Sequence, residues 1–398
     1  MPDLVAVDIP GGPAFVRAVK EIWSRGDAFA PLDQRLPPEA AQRHIESLRP
    51  AYILDGSGDK VALSGGVPVE EGDALIITTS GSTGFPKSVV LTMSSVESSA
   101  WAASDALGVE PATDKWLACL PLAHIGGLSV VTRAIITETP VEVHSRFDAA
   151  SVETAARSGA TLVSLVPTAA RRIGPSSFRK ILVGGAAPGG DLPENSVITY
   201  GMTETGSGIV YDGFPLNGVE IMLRPSKQTV SQAVGETAGP EASTGEILVR
   251  GPMTMRCYRD GSDPKLPGGW LPTGDFGGLA ADGRLTVDGR IAEVIVTGGE
   301  KVWPASVEAS IKRMASVEEA VVTGLPDEEW GQRVVAVVEL CANTDIPELI
   351  EVREQVKAQL PSWSAPKQLI VVDAVPRLPS GKVDRKAVSK IAAARLLA

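Results

Sequence analysis

Histidine and cysteine are scarce in this chain, with three of each in 398 residues. His44, His124 and His144 do not cluster, which argues against a histidine-based metal centre. Cys119, Cys257 and Cys341 lie far apart and show no metal-ligand spacing. They are expected to be reduced thiols acting as small buried hydrophobes in a cytoplasmic protein. Long apolar runs are missing too. No stretch approaches the roughly 20 residues of a membrane span, so no membrane insertion is expected. The start, Met1-Pro2-Asp3-Leu4-Val5, lacks the basic and apolar regions of a signal peptide. Positive charge is in deficit: 37 Lys and Arg against 48 Asp and Glu give a net charge of −11. That excludes a general binder of nucleic acid or of membrane surfaces, and it requires any anionic substrate to be met by local basic groups. What remains, 43% hydrophobic and 21% charged, is an ordinary globular composition, long enough for two or three domains. The oligomeric state is left open, a homo-oligomer included.

Along the chain, helices are expected near residues 14–25 and 38–48, the second started by Pro37-Pro38-Glu39. Another helix follows Thr92, with Ser94 or Ser95 near its N-cap. Residues 115–120 read as a buried strand and 129–137 as a helix. Then β and α segments alternate: strand 141–143, helix 149–158, strand 161–166, helix 168–173, strand 180–183 and strand 197–200. Such alternation predicts a parallel sheet covered by helices, with ligands gathering at the carboxyl ends of the strands. Residues 219–223, 246–250 and 253–258 read as short strands around a polar loop, which suggests an antiparallel sub-barrel. From Ile291 the pattern becomes hairpin, helix (304–314), strands (319–323 and 334–340), helix (346–360), strand (368–372) and a tail. That is a compact α+β unit of about 100 residues. No internal repeat or low-complexity tract stands out.

The most informative stretch lies between two apolar runs, 75–78 and 89–91. There Gly81 and Gly84 free backbone N–H groups to turn toward an anion. Thr79, Ser80, Ser82 and Thr83 add hydroxyls, and Lys87 adds a mobile positive charge. This reads as a phosphate cradle. It is not a Walker A loop, because Pro86 stands where that motif needs Gly, and the chain after Lys87 reads as a strand rather than a helix.

Four further motifs follow in order. Tyr200-Gly201-Met202-Thr203-Glu204 carries one carboxylate after a strand. Thr273-Gly274-Asp275 places an acid in a tight turn. Gly289-Arg290 leads to the glycine-rich Gly298-Gly299-Glu300-Lys301. Ser380-Gly381-Lys382 puts a lone lysine on a turn near the C-terminus. Singly, each is as readily a turn former, a helix-start acid or a surface lysine. Together, in this order, they resemble the acyl-adenylate-forming (AMP-binding) superfamily, which includes the acyl-CoA ligases.

The resemblance implies an α/β and α+β fold. A large N-terminal adenylation domain, 1–290, would hold parallel sheets covered by helices plus a small β sub-barrel. A small mobile C-terminal α+β domain, 291–398, would carry the catalytic lysine. The resemblance also implies roles. Thr79, Ser80, Gly81, Ser82, Thr83, Gly84 and Lys87 would hold the β- and γ-phosphates of ATP. Gly184, Gly185 and Ala186 would pack on adenine, with Tyr200, Gly201 and Met202 beside it. Thr203 would meet the α-phosphate, and Glu204 would bind Mg²⁺ with phosphate oxygens and waters. Asp275 would accept the ribose hydroxyls, with Arg290 as a second ribose contact. Lys382 would be the catalytic lysine, and Gly298, Gly299 and Glu300 would line the path of coenzyme A. Two residues depart from the family pattern. Ala292 stands where the interdomain hinge often has Asp, and Ser88 follows Lys87 where Gly is usual.

Finer features resemble the o-succinylbenzoate–CoA ligase branch of menaquinone synthesis, in its actinobacterial type. They are Leu120-Pro121-Leu122-Ala123-His124-Ile125-Gly126-Gly127-Leu128, Ser164-Leu165-Val166-Pro167-Thr168, and Val210-Tyr211-Asp212-Gly213. His124, Thr168, Ser207, Gly208 and Val210 are then candidates for the acid pocket. The second carboxylate of such an acid should require a cation, and Arg133 is a candidate. Other readings stay open: another small aryl- or acyl-CoA ligase, an adenylation protein that loads a carrier protein, or a non-catalytic nucleotide-binding relative.

Overall fold

The structure is a computed structural model that describes residues 1–79, 87–174, 178–186, 192–225, 243–378 and 383–396. Contacts divide the chain into two compact units. One comprises Met1–Ala186, Leu192–Met222 and Leu248–Pro272. The other comprises Ala187–Asp191, Leu223–Ile247 and Thr273–Ala398. Among the described residues no helix is long and apolar enough to cross a membrane.

The first unit holds two 7-stranded sheets. In spatial order the first runs Cys257–Tyr258, Lys87–Thr92, Asp73–Thr79, Ala28–Pro31, Leu4–Asp8, Tyr52–Asp55 and Lys60–Ala62. Its centre is parallel, and three antiparallel pairs close its ends. The expected helices are present as Pro13–Ser24 and Pro38–Leu48, each with Pro in its first turn. The strands around them were not expected, yet they supply the middle of the sheet. Leu4, Ala28, Ala30 and Leu48 pack there with Ile76 and Val90 into one buried cluster.

The second sheet runs Phe214–Pro215, Gly208–Tyr211, Ser196–Gly201, Lys180–Val183, Leu162–Leu165, Trp116–Ala118 and Val141–Val143. The last five strands are parallel, as the βα alternation requires. Local details differ from expectation. The helix Met93–Leu107 is capped by Thr92, whose hydroxyl accepts the Ser95 N–H at 3.2 Å, rather than by Ser94 or Ser95. The helix expected at 129–137 begins earlier, as Ile125–Ile136, because Gly126 and Gly127 are accommodated inside it. That expected at 168–173 is only Pro167–Ala170. The strand expected at 253–258 shrinks to Cys257–Tyr258 and joins the first sheet, where it pairs with Val89 and Val90, rather than a sub-barrel.

A four-stranded sheet has the order Glu220–Arg224, Ser243–Arg250, Leu271–Leu279, Leu285–Arg290. Within the second unit lies the long hairpin Val317–Asp327 and Gly331–Leu340, with Gln368–Val372 alongside in parallel. Val334, Ala336 and Val338 face one buried cluster, which includes Val307 and Ile311 of the helix Pro304–Ile311 and Val352 and Val356 of the helix Leu349–Lys357. Val335 and Val337 face a second cluster that includes Val388 and Ala392 of the helix Arg385–Leu396. The period-2 alternation thus loads both faces, each valine contributing about 1.5–3 kcal/mol by burial. Both helices of the first cluster are shorter than expected, and the C-terminal helix replaces the expected tail.

Candidate active site

Thr79 lies directly across from Lys87 in the antiparallel pair, and its hydroxyl bonds the Lys87 carbonyl at 3.2 Å. The two ends of the glycine-rich loop therefore leave the same edge of the sheet. Ser80, Gly81, Ser82, Thr83 and Gly84 lie outside the described residues. The Lys87 ammonium sits 4.8 Å from the centre of the Tyr258 ring, a cation–π distance. The Tyr258 hydroxyl donates to Glu204 Oε1 at 3.0 Å. Burial, followed by the charge of Glu204, pushes the Tyr258 phenol upward, so it stays protonated and donating at neutral pH. Tyr258 thus joins the lysine of one sequence motif to the carboxylate of another. Sequence reasoning missed it, because nothing local marks it.

Glu204 belongs to the short 3-10 turn Thr203–Thr205. The Thr205 hydroxyl accepts the Met202 N–H at 3.0 Å and donates to the Met202 and Ser207 carbonyls, which pins the turn. Thr203 and Met202 are half-buried beside it. The Ser196–Gly201 strand shifts register between Tyr200 and Gly201. A side chain on Gly201 would strike the Ser207 carbonyl, so only glycine fits there. Gly184, Gly185 and Ala186 follow the adjacent parallel strand, with the Gly184 N–H bonded to the Leu165 carbonyl at 3.2 Å and Gly185 at φ 82°. Two parallel strands therefore deliver the proposed adenine segment and the Tyr200–Glu204 segment at their carboxyl ends.

Among the described residues, Glu204 Oε2 accepts no hydrogen bond. No group of three or more His, Cys, Asp or Glu is placed among them to hold a metal ion. A magnesium ion held by one carboxylate oxygen, with nucleotide oxygens and water completing its octahedron, fits that donor set.

The proposed acid-pocket residues fall into two groups. Gly208 and Val210 pair across from Gly201 and Tyr200. Val210 is buried, and the Ser207 hydroxyl bonds Ser99 at 2.7 Å. Ser99 in turn lines a small cavity of about 10 Å³, room for one water, together with Ser129, Thr132, Arg133 and Gly206. Arg133 is 2% exposed. Its guanidinium lies 5.0 Å from the Trp116 ring centre, and among the described residues its Nε and Nη1 have no hydrogen-bond partner. The buried Tyr211 hydroxyl is likewise unpartnered among the described residues, and burial raises its phenol while the Arg133 charge opposes the rise. The other group is Thr168, exposed on its short helix, and His124, half-exposed before the helix Ile125–Ile136. Arg35 Nη2 lies 2.9 Å from His124 Nε2. Arginine can only donate, so Nε2 accepts and the ring hydrogen belongs on Nδ1. Arg35 is itself gripped by Asp33 through bonds of 2.8 and 2.7 Å. Burial would raise the Asp33 carboxyl, but the Arg35 hydrogen bonds and charge outweigh it and hold it low. Neither Asp33 nor Arg35 was picked from sequence.

In the second unit, Asp275 pairs with Arg290 across a hairpin, with Arg290 Nε 2.9 Å from Asp275 Oδ1. Arg290 Nη1 also donates to the Thr273 carbonyl at 2.9 Å. Asp275 is 5% exposed. Gly298 and Gly299 form the turn between Ile295–Thr297 and Glu300–Val302, at φ 59° and 87°. A side chain on Gly298 would lie 2.8 Å from the Trp330 ring, so any other residue would strain the turn and displace that ring. Lys382 lies outside the described residues. The segments on either side of it are held: Arg377 bridges Val383 and bonds Glu319 at 2.8 Å, and Arg385 grips Glu308 with two bonds and Glu293 with a third.

Comparisons with known proteins agree with this arrangement. The family model described as AMP-binding enzyme matches residues 64–259, and that of the AMP-binding enzyme C-terminal domain matches 306–382. A probable 2-succinylbenzoate–CoA ligase of Mycobacterium tuberculosis (strain ATCC 25618 / H37Rv) is 36% identical over 354 residues, covering 82% of this chain and 86% of the relative. The 2-succinylbenzoate–CoA ligase of Geobacillus kaustophilus (strain HTA426) is 32% identical over 396 residues, covering 90% and 80%. Among solved structures, o-succinylbenzoate CoA synthetase of Bacillus subtilis in complex with its acyl-adenylate intermediate superposes with a TM-score of 0.80 at 28% identity, covering 97% of this chain and 88% of that one. Sequence likeness along most of the chain and strand-end placement of the nucleotide motifs lead to one assignment: the chain belongs to the AMP-binding enzyme family.

Proposed function

We infer that the chain is an ATP-dependent o-succinylbenzoate–CoA ligase. It converts the acid, ATP and coenzyme A to the acyl-CoA, AMP and diphosphate, through an acyl-adenylate. The relatives named for this activity support the reading, as does the likeness to a structure with the acyl-adenylate bound.

The residue roles are part of the same proposal. The substrate carboxylate attacks the α-phosphate, diphosphate leaves, and no covalent bond to the protein forms. Catalysis is then positioning plus neutralisation of charge. Lys87 meets the outer phosphates with the hydroxyls of its loop. Thr203 donates to the α-phosphate, Asp275 and Arg290 hold the ribose, and Lys382 neutralises the reacting oxygens. A magnesium ion held through Glu204 would shield the triphosphate. In the second half-reaction the thiol of coenzyme A, guided by Gly298, Gly299 and Glu300, attacks the acyl carbonyl and AMP leaves. The region 290–293 serves as the hinge between the two steps.

The observation that best supports a diacid substrate is Arg133. A buried guanidinium with two nitrogens unpartnered among the described residues is costly unless an anion or water completes it. The cavity beside it is lined by Ser99, the partner of Ser207. Arg133 is therefore proposed to hold the second carboxylate through a water in that cavity, which has room for one. An acid panel tests both claims. o-Succinylbenzoate should support CoA-dependent AMP formation better than benzoate or a medium-chain fatty acid. Arg133→Met should erase the preference for the diacid over an analogue lacking the second carboxylate, a loss of about 1.5–3 kcal/mol. A tenfold advantage for benzoate or the fatty acid would overturn the substrate assignment.

A further inference from the structure

Lys87 and Glu204 carry opposite charges on neighbouring segments, yet among the described residues each meets Tyr258 rather than the other. The side chain of Tyr258 serves both instead. Its ring face takes the ammonium at 4.8 Å and its hydroxyl takes Glu204 Oε1 at 3.0 Å. The backbone around it is tied to both segments. The Met255 N–H donates to the Glu204 carbonyl at 2.7 Å, Tyr258 pairs with Val89, and the Arg259 N–H donates to the Ser88 carbonyl at 2.8 Å. Register is thus fixed on both sides of the ring, which is only half-buried.

We propose that Tyr258 is a positioning residue for the metal–nucleotide complex. Its hydroxyl fixes one oxygen of Glu204 so that the other is presented to the metal, and its ring keeps Lys87 from collapsing onto that carboxylate. This rests on the reading of Glu204 as the magnesium carboxylate. Partners that orient a ligating carboxylate typically account for about 10–100-fold in metal affinity. The two functions of the side chain separate chemically. Tyr258→Phe removes the hydroxyl and keeps the ring, whereas Tyr258→Leu removes both.

The test is equilibrium binding of ATP to the full chain by calorimetry, in EDTA and across a magnesium titration, for the parent, Y258F, Y258L and E204Q. In the parent, magnesium should tighten ATP binding. In Y258F, metal-free affinity should stay within about twofold of the parent, while the magnesium needed for tightening should rise about tenfold or more. In Y258L metal-free affinity should fall as well, because Lys87 is released to pair with Glu204. Metal-free binding also reports folding, since an unfolded chain holds no ATP. A Y258F chain with parental magnesium dependence, alongside an E204Q chain that has lost it, overturns the proposal. An E204Q chain that keeps the parental dependence overturns the metal reading of Glu204, and the role of Tyr258 with it.

Discussion

Asp275→Ala should separate recognition of the ribose from recognition of the phosphates. Asp275 is nearly buried and pairs with Arg290, whose side chain is 50% exposed. An ion pair with one partner so exposed contributes about 0–1 kcal/mol, and its loss leaves Arg290 solvated rather than buried and unpaired. Folding should therefore survive. Binding is a different matter. A hydrogen bond from a ribose hydroxyl to a carboxylate is worth about 1.5–3 kcal/mol, so loss of even the stronger limit means roughly 100-fold in ATP affinity. The loss must be specific to the sugar. The parent should favour ATP over 2′-deoxy-ATP or 3′-deoxy-ATP, and the variant should lose most of that preference, keeping only what Arg290 supplies. Competition by diphosphate, which has no ribose, should be unchanged. Competitive binding of the four ligands to both proteins, with thermal midpoints as the folding control, decides the matter. A variant that discriminates against the deoxy-nucleotides as strongly as the parent refutes the assignment, and so does one that loses diphosphate as strongly as ATP.

Lys87→Ala should weaken ATP binding by about 1.5–3 kcal/mol in calorimetry and leave the thermal midpoint in place, because Lys87 is exposed and buries little. Lys382→Ala should slow adenylate formation about 100-fold, while acyl-CoA formation from preformed acyl-adenylate stays near the parental rate; Gly298→Trp should show the reverse in single-turnover assays, and equal loss of both steps would refute alternation. Asp114→Asn should destabilise the first unit by about 1–3 kcal/mol near pH 7, because Asp114 accepts two bonds from Arg179 and one from Thr161. Burial would raise the Asp114 carboxyl, but those bonds win and depress it, so its contribution is full above the unfolded value of about 3.9 and fades as pH falls. Denaturant midpoints of variant and parent should converge below pH 4.

What could be read from the sequence, and what could not, follows from how far apart interacting residues lie along the chain. The βα alternation from Val141 to Val183 was legible because the helices Ala149–Arg157 and Pro167–Ala170 each lie between two successive parallel strands of one sheet. The same locality made Asp275 and Arg290 readable, since one hairpin register brings them together. The N-terminal strands were not. Leu4–Asp8 and Tyr52–Asp55 are runs of only five and four residues, too short to stand out, although the first leads through the helix Pro13–Ser24 to its partner and the second turns back on Lys60–Ala62. The helix Arg385–Leu396 was missed for another reason. It buries little more than Val388 and Ala392 and otherwise shows alanines and charges, too narrow a stripe to stand out. Its start is fixed instead by Arg385 on Glu308, 77 residues earlier. The site divides in the same way. Lys87 and Glu204 each sit in a recognisable local motif, but the tyrosine that serves both lies 54 residues beyond Glu204 in a segment without signature. Arg35 reaches His124 across 89 residues. Groups proposed to meet the substrate announce themselves because strand-end loops need particular residues at particular spacing. Groups that aim them need only one hydrogen bond in the right place, and any segment that the fold carries past can supply it.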